Sequence, residues 1–423
     1  MIPFQAPELP PSVRWLNAAP ATLRELGGRV LALAFVNPAS AWCAQRLQEL
    51  ARLQARSGGR LQPLAVAVPR FDCERDGEAA LRRLRRHGIG FPVLHDPDWQ
   101  AWQRFGVEAW PTVLLIDPVG QVRYRSLGDQ AGVLEQHVQA LYQQAGDNAE
   151  RIAETHAEPR APLRFPTGLV ATDERLYVAD SGHHRILECT HAGRVLRRFG
   201  TGTADFADGD GEAAAFDRPH ALALLHTGLY VADTGNHAIR RIDLASGQVD
   251  TLLGNGRCGT PQEGPVTAAK DVGLDTPRAL VASNSQLHFA LAGDHRIWSW
   301  DLGAHRLQCR AGSGQLGTRD GAGALAAFAQ PAGLAAVQQT LYVCEELGSA
   351  IRSVQLRGDV VQTLVGAGPW QFGDHDGARA EARLQAPEAI ALDPDSPRLW
   401  IADTGNGCVR SLRLGGGELA RVP

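Results

Sequence analysis

The chain has 423 residues, of which 44% are hydrophobic and 21% are charged, and its formal net charge is −4. This balance is typical of a globular protein that buries a core, and it excludes a chain kept disordered by charge. The longest apolar run that we find, residues 30–36, is far shorter than the ~18–20 residues of a membrane-spanning helix. At roughly 150 residues per domain, the length corresponds to two or three domains.

The remaining global features favour a cytoplasmic protein that binds neither nucleic acid nor membrane. The first residues, Met-Ile-Pro-Phe-Gln-Ala-Pro-Glu, lack the basic and apolar segments of a secretory signal. An acidic chain is also poorly suited to phosphate contacts. Seven dispersed cysteines form no CxxC pair, which indicates reduced thiols and not a zinc site; they are Cys43, Cys73, Cys189, Cys258, Cys309, Cys344 and Cys408. We expect no cofactor and no metal.

Residues 1–147 alternate predicted strands with predicted helices, which indicates an α/β domain. The predicted strands are 31–36, 64–68, 112–116 and 122–124. The predicted helices run through 50–53, around 81–86 and over 133–143. The polar residues 148–163, which include Glu-Pro-Arg-Ala-Pro, are predicted to form a linker.

Two segments of this domain resemble the thioredoxin fold. Residues 35–43, Phe-Val-Asn-Pro-Ala-Ser-Ala-Trp-Cys, are similar to the family's active-site entry, Phe-Trp-Ala-Pro-Trp-Cys-x-x-Cys. Ala-Trp-Pro-Thr at 109–112, followed by Val-Leu-Leu-Ile-Asp, resembles the family's cis-proline strand. The resemblance implies a thioredoxin-like domain with Ser40, Trp42 and Cys43 at the active-site helix and with Trp110 and Pro111 at the cis-proline strand.

The active-site motif departs from the redox pattern, since it reads SxxC in place of CxxC. Ser40 stands where the family has its nucleophilic cysteine, and only the second position, Cys43, keeps sulfur. A hydroxyl at a helix start makes a good N-cap, but it forms neither a comparable nucleophile nor a disulfide. Two alternatives stay open. A three-residue gap would place Cys43 at the nucleophile position, and Cys73, after the second strand, could pair with Cys43 or act alone.

The second part of the chain consists of repeats. A proline that opens a predicted strand recurs every 53 to 58 residues, at positions 166, 219, 277, 331 and 387. About ten residues after each proline comes Leu-Tyr-Val-Ala-Asp or a relative, then a turn and two further predicted strands. Because one four-stranded sheet cannot cover both of its faces, five such copies predict sheets that stack around an axis as a β-propeller.

The repeat resembles the NHL repeat through Tyr-Val-Ala-Asp-[Ser/Thr]-Gly-[Asn/His]-His-x-Ile, which copies one and two match well and copy five matches in most positions. The resemblance implies a multidomain protein with an all-β NHL-type propeller over 164–423. We expect five blades, with six as the alternative. The aspartates before the turn and the glycines within it are interpreted as structural; they are Asp180, Asp233, Asp403, Gly182, Gly235 and Gly405. His184, His237 and His295 are equivalent positions in different blades, so we expect no metal ring.

The functional hypothesis is a protein-binding scaffold that joins a redox-degenerate thioredoxin-like domain to a propeller as interaction platform, with a protein partner of unknown identity. The alternative is a thiol-dependent oxidoreductase that performs disulfide or peroxide chemistry with Cys43 and also Cys73. A third hypothesis is a propeller hydrolase or lyase with a metal in the central channel.

Overall fold

The computed structural model describes residues 3–128, 133–142 and 161–422. It divides into two compact units, Met1–Arg160 and Ala161–Pro423. Most of the predicted linker, residues 148–160, lies outside the described residues. In the described ranges, every helix is too short or too polar to cross a lipid bilayer.

The N-terminal unit contains a seven-stranded sheet in the order β1-β7-β6-β3-β4-β5-β2. Its strands are β1 Phe4–Gln5, β2 Arg14–Trp15, β3 Val30–Val36, β4 Leu61–Ala67, β5 Val93–His95, β6 Thr112–Ile116 and β7 Gln121–Leu127. Its helices are α1 Ala41–Arg56, α2 Gly77–Arg86, α3 Gln100–Arg104 and α4 Val133–Tyr142, with a 3₁₀ turn at Asp72–Arg75.

The centre of this sheet follows from its apolar sequence. Every residue of β3 and β4 is buried, because apolar clusters cover both faces of the sheet. β3 pairs in parallel with β4, and α1 provides the crossover that a parallel pair requires. The predicted α/β alternation is confirmed. Sequence periodicity missed the short elements β1, β2, β5 and α3, since two to five residues are too few to show a period.

The second unit contains five antiparallel sheets, so the predicted five-bladed propeller is confirmed. Blade 1 comprises β8 Pro166–Ala171, β9 Leu176–Asp180, β10 Arg185–Cys189 and β11 Val195–Phe199. Blade 2 comprises β12 Pro219–Leu225, β13 Gly228–Asp233, β14 Ala238–Asp243 and β15 Val249–Leu253. Blade 3 comprises β16 Gly264–Pro265, β17 Pro277–Ser283, β18 Gln286–Leu291, β19 Arg296–Asp301 and β20 Arg306–Ala311. Blade 4 comprises β21 Gly321–Ala322, β22 Pro331–Val337, β23 Thr340–Glu345, β24 Ala350–Gln355 and β25 Val360–Val365. Blade 5 comprises β26 Ala389–Leu392, β27 Arg398–Asp403, β28 Cys408–Arg413 and β29 Leu419–Arg421.

Consecutive blades pack through apolar clusters of one design. Between blades 1 and 2, Ile186 and Phe199 pack with Leu222 and Val249, and Phe216 from the connecting loop completes the cluster. Equivalent clusters join blades 2 and 3, blades 3 and 4, and blades 4 and 5. This burial of sheet faces is the main stabilising contribution to the unit.

The outward faces of the first and last blades differ from all the others at equivalent positions, and we call these two faces the seam. Leu169 of blade 1 is 63% exposed, whereas its counterparts in blades 2 to 5 are only 6–8% exposed; they are Leu222, Leu280, Leu334 and Ile390. Val409 of blade 5 is 47% exposed, whereas its counterparts in blades 1 to 4 are 0% exposed; they are Ile186, Ile239, Ile297 and Ile351. Leu163 and Val195 are exposed in the same way. The centre of the blade 1 face, with Val178 and Leu187, is buried. The margins of the seam therefore lack the cover that every other blade face has.

A matched pair of truncations tests the seam. We expect Leu222→Ala to lower the free energy of unfolding by about 2–5 kcal/mol, because it opens a cavity in a filled interface. We expect Leu169→Ala, at the same position of blade 1, to change it by less than about 0.5 kcal/mol, because the side chain is already in water. Urea unfolding of the full chain measures both. Equal losses would show that blades 5 and 1 pack like the other pairs.

Candidate functional site

The candidate site begins where β3 ends and α1 starts. Ser40 is the N-cap of α1 in an extended conformation, and its Oγ accepts a hydrogen bond from the backbone N–H of Cys43 at 3.4 Å. The first turn of α1 contains no acidic residue. The free N–H groups of a helix start favour negative charge, but a serine hydroxyl stays neutral at physiological pH. The position that would gain most from the helix start therefore carries no ionisable group.

The sulfur of Cys43 is enclosed on all sides. The residue is 0% exposed, and its Sγ accepts a hydrogen bond from the backbone N–H of Asn37 at 3.3 Å. Burial raises the pKa of the Cys43 thiol to about 12, although the contact with Ser40 and the charge of Arg46 act in the opposite direction. Since the thiolate is the nucleophile in thiol chemistry, Cys43 is almost entirely in its unreactive form near neutral pH.

A buried carboxylate, Glu74, ties the 3₁₀ turn to the start of α1. Its Oε2 accepts hydrogen bonds from Asn37 Nδ2 at 2.7 Å and from the backbone N–H groups of Arg70 and Phe71 at 2.8 and 3.1 Å. Arg83 of α2 lies 3.8 Å from the other oxygen. Burial raises the pKa of Glu74, while these partners oppose the shift. Sequence reasoning missed this contact, because Glu74 stands in no motif and 37 positions separate it from Asn37.

The second cysteine of the sequence analysis, Cys73, lies in this same 3₁₀ turn and is partly buried. Burial raises the pKa of its thiol to about 11, and the charge of Arg83 only partly offsets that effect. All seven cysteines are free thiols, so Cys43 and Cys73 form no disulfide here. The turn does bring both residues close enough to Glu74 for its charge to act on each thiol.

The second predicted motif holds a cis peptide bond between Trp110 and Pro111, at the start of β6. Trp110 lies in an aromatic cluster, with its ring centroid 5.1 Å from that of Trp99 and 4.8 Å from that of Trp102. Trp42, in the first turn of α1, is partly buried. The side chains of Trp99, Trp102 and Trp110 are therefore engaged in packing with one another and with the core.

In the propeller, the repeat aspartates fasten each turn to the strand entry of the same blade. Asp180, Asp233 and Asp403 are fully buried. Each accepts a backbone N–H at one oxygen, from Arg164 at 2.7 Å, Asp217 at 2.8 Å and Gln385 at 2.8 Å. The second oxygen pairs with an arginine of the following strand; the arginines are Arg185, Arg240 and Arg410. In blade 4, Glu345 makes the same pair of contacts, with Ala329 and Arg352.

The turn glycines leave space for that strand entry. A Cβ on Gly182 would stand 2.7 Å from the carbonyl oxygen of Arg164, and a Cβ on Gly405 would stand 2.4 Å from that of Gln385. A Cβ on Gly235 would meet the carboxylate of Asp217 at 2.4 Å. These distances are too short for any side chain, so the arrangement accounts for glycine at the three positions.

The repeat histidines link each blade to the next. His184, His237 and His295 close their turns in a left-handed conformation. Each Nδ1 accepts the backbone N–H of the residue before the next blade's first proline, at 3.2–3.3 Å; the donors are Arg218, Thr276 and Gln330. Ser349 does the same in blade 4, and blade 5 carries Gly407, which has no side chain to accept such a bond. The three histidines occupy separate gaps and do not converge on one point.

The first strands of all five blades line a central cavity of about 370 Å³. The buried Arg278 crosses it, donating to Glu346 at 2.5 Å, to Glu388 at 3.3 Å and to His220 Nε2 at 3.4 Å. One guanidinium thus connects blades 2 to 5. Glu346 and Glu388 serve as counter-ions to Arg278 and so link the blades. They do not form the open set of donor atoms that a catalytic metal uses.

Comparison with known proteins agrees with both halves of this description. The AhpC/TSA family model matches residues 5–125, and the NHL repeat model matches residues 163–189. The chain therefore contains a thioredoxin-like domain followed by an NHL-repeat β-propeller.

Among curated proteins, human NHL repeat-containing protein 2 is 30% identical over 446 residues, covering 95% of this chain and 61% of the relative. The Arabidopsis thaliana protein SUPPRESSOR OF QUENCHING 1, chloroplastic, is 31% identical over 96% of this chain and 41% of its own length. The chain thus spans about three fifths or less of these relatives. Among solved structures, a chain of the nidogen/laminin complex is similar at 15% identity with a TM-score of 0.42, covering 60% of this chain and 77% of that chain.

The cysteine thiols differ in exposure and in pKa, and their rates of alkylation measure this difference. In the native protein we expect iodoacetamide to modify the exposed Cys258 first and to leave Cys43 unmodified at pH 8, since burial and a raised pKa both suppress the Cys43 thiolate. Mass mapping of the peptides reads each site. As pH rises above about 9, the rate at Cys43 should keep increasing because its pKa is raised, whereas the rate at an ordinary thiol levels off there. Rapid modification of Cys43 at pH 8 would contradict the assignment, and urea-unfolded protein is the control.

Proposed function

We propose that this protein is a non-catalytic binding protein. The observation that carries the proposal is the enclosed Cys43 thiol behind Ser40. A dithiol–disulfide cycle oxidises two nearby thiolates to a disulfide while the substrate's disulfide is reduced, and position 40 has no sulfur to supply one of them. The surviving thiol is 0% exposed with a pKa of about 12. The thioredoxin-like domain then serves as a folded binding module.

The partner is proposed to be a protein, held at the seam of the propeller. Leu169 and Val409 are large apolar side chains in water at positions where every counterpart is covered. In each filled gap, the cover is the apolar face of a neighbouring β-sheet, with aliphatic and aromatic side chains. A partner that presents an apolar β-sheet face has the chemistry to cover these margins. Nucleic acid and membrane are not proposed as partners. The free thiols of the chain suit a reducing compartment, so the cytoplasm remains the proposed location.

A second candidate, a thiol-dependent oxidoreductase, is favoured by the AhpC/TSA family match over residues 5–125. Here Cys43, alone or with Cys73, would react with peroxide or a disulfide. The two thiols lie near the same buried Glu74, and Arg46 favours the Cys43 thiolate. Burial opposes this candidate, because it raises the pKa of both thiols.

Restoring the missing sulfur separates these candidates. We expect the wild-type chain to give no turnover in insulin-disulfide reduction with dithiothreitol, and Cys43→Ala to behave identically. Ser40→Cys should form a disulfide with Cys43 and gain measurable turnover, since it places a thiol at a helix start. Ser40→Cys combined with Cys43→Ala is the matched control and should lose the gain. Wild-type turnover of insulin or of hydrogen peroxide that Cys43→Ala abolishes would overturn the non-catalytic proposal.

The seam is tested by site-specific photo-crosslinking in cells. A photoreactive residue at Leu169 or Val409 should give an adduct of discrete mass, whereas one at Val119, which is even more exposed in the N-terminal unit, should not. The purified partner should bind the wild-type chain, and Leu169→Asp with Val409→Asp should weaken binding by about 10-fold or more, since a charge enters an apolar contact.

Cys43→Ala should leave this binding unchanged. Failure to form an adduct, or binding that survives both aspartates, would overturn the seam as the interface. An adduct with a second copy of this chain, together with a dimer that Leu169→Asp and Val409→Asp dissociate, would contradict the proposal that the partner is a different protein.

A further inference from the structure

The gap between blades 2 and 3 holds a group of side chains that the repeat pattern alone does not produce. The repeat itself places a turn histidine beside an aspartate two positions before the next proline. Between blades 1 and 2 this pair is His184 and Asp217, with Nδ1 and Oδ1 3.4 Å apart. Arg218 lies 2.9 Å from the same Asp217 oxygen, so the carboxylate already has a cation. Electrostatic pairing holds the pKa of Asp217 below its usual range.

The next gap keeps the pair but changes its neighbours. His237 and Asp275 occupy the equivalent positions, and Thr276 stands where the first gap has Arg218. Both residues adopt the same left-handed backbone, with φ of 54° at Thr276 and 51° at Arg218, so the exchange removes a cation without changing the chain path.

A third donor enters this gap from the connecting loop between blades 2 and 3. Cys258 is exposed, and its Sγ, a nitrogen of His237 and a carboxylate oxygen of Asp275 all lie within 4.8 Å of one another. Among the residues that the structure describes, these three side chains form a group of His, Cys, Asp or Glu ligand atoms close enough to hold a metal ion. The later gaps lack the set, since blade 4 enters with Ala329 and blade 5 with Gln385 at the aspartate position.

We propose that His237, Cys258 and Asp275 bind a zinc-class transition-metal ion. Imidazole nitrogen, thiolate sulfur and carboxylate oxygen form a donor set typical of Zn²⁺, whereas Ca²⁺ and Mg²⁺ take oxygen ligands. Ligand atoms around a tetrahedral ion stand roughly 3.3–3.8 Å apart, so closure from 4.8 Å needs a movement of about 1 Å. Cys258 is exposed on a loop and is the side chain placed to make that movement.

The blade-to-blade hydrogen bond would orient this site. His237 accepts the backbone N–H of Thr276 at Nδ1, so the ring position is set by the main chain of blade 3. Three protein ligands complete a tetrahedron with one water, so the ion would join blades 2 and 3 at their outer turn. Binding would release the Cys258 thiol proton, which makes affinity rise with pH.

The site is tested with Zn²⁺ and Co²⁺ on the full-length chain. We expect one Zn²⁺ per chain by calorimetry, and Co²⁺ should give the thiolate-to-cobalt charge-transfer absorption that reports a sulfur ligand. Cys258→Ala should abolish that absorption and weaken Zn²⁺ binding on the order of 100-fold. Cys408→Ala, which removes a thiol of blade 5, is the matched control and should bind like the wild type.

A graft from the neighbouring gap provides an independent variant. Thr276→Arg reproduces the Arg218 arrangement on the same backbone conformation, so it should weaken Zn²⁺ binding while the circular dichroism of the chain stays unchanged. The absence of Zn²⁺ binding by the wild type, or binding that survives both Cys258→Ala and Thr276→Arg, would overturn the proposal. This test measures metal binding directly. Its outcome therefore does not depend on the insulin-reduction assay or on the crosslinking experiment at the seam.

Discussion

Each blade of this propeller is an antiparallel sheet of four or five strands with apolar side chains on both faces, and both faces must be covered. A neighbouring blade covers each inner face, so the clusters between blades carry the stability of the unit. The turns serve the same contact. His184 and its counterparts bond the main chain of the next blade, and Arg278 joins four blades across the channel. The two terminal faces alone depart from this arrangement, and their exposed margins distinguish this ring chemically from a closed one.

In the thioredoxin-like unit, the burial of Cys43 determines the protonation state of its thiol. Cys43 lies inside the core that covers the sheet, where a thiolate is costly, and no cation is strong enough to offset the desolvation. Ser40 keeps the N-cap that the fold needs but brings no sulfur. The thioredoxin-like domain thus combines a helix start capped by Ser40 with a single enclosed thiol at Cys43.

Carboxylates that look alike in the repeats have different tasks. Asp180, Asp233 and Asp403 accept hydrogen bonds from buried backbone and arginine donors, so each carboxylate is already paired within its blade. Asp217 is paired with Arg218 beside it. Asp275 has threonine in that place and a cysteine opposite. In this gap a cysteine sulfur joins the repeat histidine and aspartate, and the three donor atoms together turn a repeat feature into a candidate metal site.

The sequence by itself determined the two domain types, the five blades and the absence of a thiol at position 40, because these follow from local period, repeat spacing and residue identity. It also indicated the turn role of the repeat aspartates and glycines. Only the tertiary structure decided that the Cys43 sulfur is enclosed, that Glu74 reaches Asn37, and that Leu169 is exposed while Leu222 is covered. It likewise decided that Cys258 meets His237 and Asp275. Exposure and such contacts depend on segments far apart in the chain that pack together, and equal residues in equal repeats differ only through what the fold places against them.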